Sequence, residues 1–195
     1  MSADTVDHLI HNVIPAATDY MMAENELTAA YAKDVTPAAW ESAGRHAKRR
    51  AAELAIAIDG LTDRGASEFG ISKSVIRNDL WALCIWPGSG AQRLGAHDSV
   101  RGVANAYKHQ TLSDPSLPIS SESDILVVGL GFGLDGFGVG KYSGVEVLVR
   151  EHDGTKYKFV GDVQVAIAAW FKWLAMQGAT LPAGPYVVCG LQVHP

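Results

Sequence analysis

The hydrophobic pattern changes period along this chain, and that change limits the possible folds more than any other feature. From Asp4 or Thr5 to about residue 112, apolar residues recur three and four apart. They are Val6, Leu9, Ile10, Val13, Ile14, Ala17, Met21 and Leu27, then Trp40, Ala43, Ala47, Leu54 and Ile58, then Ile76, Leu80 and Leu83. Beyond residue 124 the spacing shortens. Ile125-Leu126-Val127-Val128 is a β-rich run, Val145-Glu146-Val147-Leu148-Val149-Arg150-Glu151 alternates with period two, and Asp153-Gly154 leads into Tyr157-Lys158-Phe159 as a tight hairpin. The helical period then returns at Val163, Ala166, Ile167, Trp170 and Leu174, and stops at Gly178. This order predicts an α+β fold: a helical bundle of about four to five helices with a small antiparallel β-meander of three strands inserted before the last long helix.

Helix boundaries follow from capping and breaking residues. Pro15 should kink the first helix or split it. Thr36-Pro37 announces a second helix, read as running to Gly60; Ser72 or Ser74 caps a third, broken at Pro87-Gly88-Ser89-Gly90. A fourth extends from roughly Leu94 to Leu112 and ends before Asp114-Pro115. A chain of 195 residues suits one domain. Its parts are a helical portion (1–112), a meander (125–160), a closing helix (162–178) and a tail (179–195) in which Tyr186-Val187-Val188-Cys189 adds a strand or packs as an end. Trp170, Phe171 and Trp173 give the closing helix more aromatic bulk than one packed face needs.

Composition excludes several roles. Apolar residues make up 48% and charged residues 19%, enough to build a core, and the net charge of −5 argues against a general nucleic-acid coat, which needs a basic surface. The densest basic cluster, Arg45 to Arg50, reads as a solvated face. Cys84 and Cys189 read as two buried thiols rather than a disulfide. No leader pattern opens the chain and no apolar run reaches membrane-spanning length, so a cytoplasmic protein without membrane contact is expected. Gly131, Gly133 and Gly136 match a dinucleotide fingerprint formally. They lead into a strand instead of a helix, so a hairpin tip is expected and no nucleotide cofactor. His8 and His11 make at most two metal ligands, so no metal is expected either.

The stretch richest in chemistry is His97 to His109. On a helix advancing about 100° per residue, Asp98, Arg101, Asn105, Lys108 and His109 fall within an arc of roughly 100°. An acid, a guanidinium, an amide, an amine and an imidazole on one face are more varied than a merely solvated stripe. An Arg and a His on one helical face inside an α-helical bundle resemble the HEPN (higher eukaryotes and prokaryotes nucleotide-binding) superfamily, although seven residues separate Arg101 from His109 where that family has four to six. The resemblance implies a metal-independent ribonuclease of a microbial toxin or defence system, acting as a homodimer on RNA. In it Arg101 holds the scissile phosphate and His109 acts as general acid or base, supported by Asp98, Asn105 and Lys108. The competing expectation is a non-enzymatic interaction or assembly module, in which the same side chains form a polar seam against another helix.

Overall fold

The computed structural model describes residues 4–109, 112, 114–129 and 144–194. It contains α1 (Asp4–His8), a π-helical turn (Leu9–Val13), α2 (Ile14–Lys33), α3 (Pro37–Phe69), α4 (Lys73–Leu83) and α5 (Ala96–Lys108). A 3-10 turn (Glu122–Asp124), β1 (Ile125–Gly129), β2 (Val145–Arg150), β3 (Lys156–Lys158), α6 (Phe159–Met176), β4 (Tyr186–Val188) and β5 (Leu191–His194) follow. The expected α+β bundle with an antiparallel meander before the last long helix is the architecture found. β2 is the centre strand, with Val127 opposite Val147 on one side and Val149 opposite Tyr157 on the other.

Helical structure runs without a gap across Pro15, from α1 through the π turn into α2. The proline lacks a backbone N–H and its ring crowds the carbonyl four residues back, and the π turn that ends at Val13 widens the helix just there, so the path continues. α3 is longer than its sequence suggests. Gly60 reads as a stop, yet the helix passes through it for nine more residues and terminates at Gly70, whose φ of 66° is the left-handed conformation a helix end favours. Packing supplies the reason, because Leu61, Thr62 and Gly65 beyond Gly60 are all buried. The two glycines should respond oppositely to alanine. A Cβ at Gly60 meets only His8 Nε2, at 3.6 Å, so Gly60→Ala should stabilise by about 0.5–1 kcal/mol. Gly70→Ala forces a side chain into the left-handed region and should cost about 1 kcal/mol. Urea denaturation of the two variants measures both signs.

The closing helix starts at Phe159 rather than Asp162 and is the axis of the core. Phe159, Trp170, Phe171 and Trp173 are all fully buried, and the helix is enclosed by α4, α5, the meander and β5. This explains its surplus of aromatic residues: it is packed on nearly every side. Contrary to the reading of the sequence, its 18 residues are long and apolar enough to cross a membrane, but 72% of that stretch is buried inside the fold, so its apolar character is that of the core.

Buried polar bonds tie the layers together. Tyr20 Oη donates to Glu24 Oε1 at 2.6 Å, and the same oxygen accepts from the Val147 N–H at 2.9 Å, joining α2 to β2. Arg93 pairs with Asp162 and Glu151 while its guanidinium lies 3.5 Å from the Tyr157 ring centroid, clamping the 84–95 connection onto the meander. Burial pushes the Asp162 carboxyl up to about 6, against the pull of Arg93. The tail adds a hairpin rather than a single strand: β4 pairs with β5 through a turn in which Cys189 (φ 48°) and Gly190 (φ 81°) are both left-handed, as a tight hairpin demands. Cys84 is buried and Cys189 half-buried, and both are free thiols.

Candidate functional site

A cleft lies between α4, α5 and the segment that follows α5. α5 enters through Gly95, whose φ of 86° turns the chain sharply into the helix, and nine of its residues, including Arg101, are buried. Of the face that reads as polar in the sequence, Arg101 alone is buried; Asp98 and Asn105 are half-buried, and Lys108 and His109 are exposed. α5 packs against α3, α4 and α6.

Arg101, only 6% exposed, is held by two carboxylates. Its Nη1 donates to Asp98 at 3.1 Å, one turn earlier, and its Nη2 bonds Asp114 from the segment beyond the helix. Asp114 is presented by a turn through Pro115, with the Ser116 N–H and hydroxyl both donating to its Oδ1, at 3.0 and 2.6 Å. Those two bonds, and then the Arg101 charge, hold the Asp114 carboxyl below its ordinary range, while burial raises Asp98. Arg101 is thus neutralised where it stands.

The other expected residues separate. Asn105 donates back to the Arg101 carbonyl at 2.9 Å. Lys108 turns to α3 and pairs with Asp59 at 2.8 Å, away from the cleft. His109 does not continue the helical face: α5 ends at Lys108, and His109 is an extended residue whose N–H caps the Asn105 carbonyl. Its side chain is exposed. A cavity of about 230 Å³ nevertheless brings Arg101, Asn105 and His109 together. Asp98 lies in the wall of an adjoining cavity of about 290 Å³, and Arg101 and Asp114 border both.

Arg77, on α4, is the residue that sequence reasoning missed. It lines both cavities, and its buried Nε finds no hydrogen-bond partner among the described residues. No signal in the sequence marked it, since it sits between Ile76 and Leu80 like any solvent-side arginine. Next to the cleft, His97 is fully buried with its ring 6.2 Å from that of Trp170; burial pushes its imidazole down to about 4, so it is neutral near neutral pH.

The remaining candidates have other contacts. His8 Nε2 lies 3.0 Å from the Ala57 carbonyl, and His11 sits on the surface 3.6 Å from Asp7. In the basic cluster, Arg45 meets Glu41, Lys48 meets Glu122 and Arg50 meets Glu53. Among the described residues no group of three His, Cys, Asp or Glu side chains is placed to hold a metal ion. The glycine-rich motif at Gly131, Gly133 and Gly136 lies outside the described residues. No family model matches the chain, and neither a curated protein nor a solved structure does.

Proposed function

We propose that this is an HEPN-like protein that binds RNA in the α4–α5 cleft and cleaves it without a metal ion. The observation that supports this reading is the open cavity in which an exposed imidazole, His109, shares walls with two guanidinium groups. Because Arg101 is occupied by Asp98 and Asp114, the phosphate-holding role passes to Arg77, and Arg101 becomes a positioning residue that sets the course of the cleft wall. His109 takes the proton from a ribose 2′-hydroxyl, whose oxygen attacks the adjacent phosphorus. The bond to the 5′-oxygen breaks as that oxygen gains a proton, leaving a 2′,3′-cyclic phosphate and a free 5′-hydroxyl. Arg77 offsets the charge that builds on the phosphorane. The second proton comes from water or from His109 of a second copy meeting the cleft mouth.

The test is incubation of wild type, His109→Ala and Arg77→Ala with mixed RNA in EDTA, after melting curves have shown each to be folded. Loss of a general acid or base of this kind typically slows the reaction about 10²-fold or more, so His109→Ala should be close to silent, while Arg77→Ala should chiefly raise KM. Intact RNA after incubation with wild type would sink the enzymatic reading. The second reading, an interaction module with a structural polar seam, is favoured by the pairing of the buried Arg101 with Asp98 and Asp114 and would then take its place.

A further inference from the structure

We propose that the α4 side of the cleft is a nucleobase subsite, in which one unpaired base stacks on Trp81 and has its edge read by Asn78. The inference rests on the RNA reading above and extends it from phosphate to base. Of the five tryptophans, Trp81 alone is exposed, at 45%. It has no share in the core, because α4 turns Ile76 and Leu80 inward instead. Ser74, Arg77, Asn78 and Trp81 are spaced by three and four residues, so they form one face of α4, and all four line the cavity of about 290 Å³.

That face combines what single-stranded RNA recognition requires. An exposed indole is a stacking platform for any base. The Asn78 amide, exposed and with no hydrogen-bond partner among the described residues, carries a donor and an acceptor side by side, which suits the edge of a purine. Arg77 stands one turn from Trp81, about 6 Å along the helix axis, comparable to the reach between a nucleotide's base and its own phosphate. The cavity has room for one base and not for a duplex, so the ligand class is a single-stranded or looped RNA with a base turned out.

Binding of a short labelled RNA strand with 2′-O-methyl riboses, which cannot supply the attacking hydroxyl, is compared with binding of the same strand carrying one abasic position. Stacking of this kind corresponds to an affinity gain of about fivefold to a hundredfold. Wild type should therefore prefer the complete strand by at least about fivefold, Trp81→Ala should lose the preference, and Trp81→Phe should keep most of it. Arg77→Ala should weaken both strands alike. If wild type binds both strands equally, or Trp81→Ala retains the preference, the base subsite is wrong while the phosphate cleft stands. If wild type binds neither strand, the RNA reading fails and this proposal with it.

Discussion

Trp173→Ala is expected to cost about 4 kcal/mol of stability, the largest effect of any single substitution considered. Aromatic-to-alanine changes in a core typically cost about 3–5 kcal/mol, because the removed surface returns to water and the cavity closes only partly. Trp173 is fully buried, meets Trp170 edge-on at 5.4 Å and Phe69 at 5.3 Å, and donates its Nε1–H to Asp79 at 3.2 Å. It also fills the space above Gly65, where a Cβ would stand 3.4 Å from its ring, so no neighbour is poised to expand into the void. For a domain of this size each 1 kcal/mol moves Tm by about 2–4 °C, so the midpoint should fall by roughly 8–16 °C. Trp81→Ala is the control: with its ring nearly half exposed it should melt within a few degrees of wild type. A similar drop for both variants would contradict the placement of α6 at the centre of the core.

Arg101→Leu should cost on the order of 3 kcal/mol, since removing one partner of a buried ion pair leaves the remaining charges uncompensated. The figure is at the low end of the usual range because Asp98 and Asp114 retain 27% and 45% of their side-chain exposure and can turn partly to water. Adding Asp98→Leu to Arg101→Leu should recover a good part of the loss, since an apolar pair can replace a buried ionic one at little cost. Denaturant unfolding of the single and double variants gives the coupling directly. A near-neutral Arg101→Leu that abolishes RNA binding would reverse the assignment, making Arg101 a ligand contact in place of Arg77.

Elements were legible where a few neighbouring residues decide them. Ser72 caps α4 by accepting from the Val75 N–H, Asp153-Gly154 turns β2 into β3, and the β-rich run of β2 forms a strand, although it is buried on both faces, Glu146 included. Such features depend on interactions within a few residues, which the local order of side chains carries in full. Gly60 misled because a mid-helix glycine costs only about 1 kcal/mol, and the packing of Leu61 and Gly65 on the core outweighs it. The Cys189 turn was hidden because a non-glycine residue takes a conformation that local preference disfavours.

In the cleft, the sequence alone determined that Asp98, Arg101 and Asn105 share one helical face, since helix geometry sets which residues neighbour each other. Everything else depended on partners far away along the chain. Asp114 neutralises Arg101 from thirteen residues on, Asp59 draws Lys108 aside across forty-nine, and Arg77 arrives from a different helix. Periodicity carries no information about which distant side chain will face a given charge. That was decided when α5 packed against α3, α4 and α6, which buried Arg101 within a face whose other residues keep contact with solvent and left His109, just past the helix end, exposed.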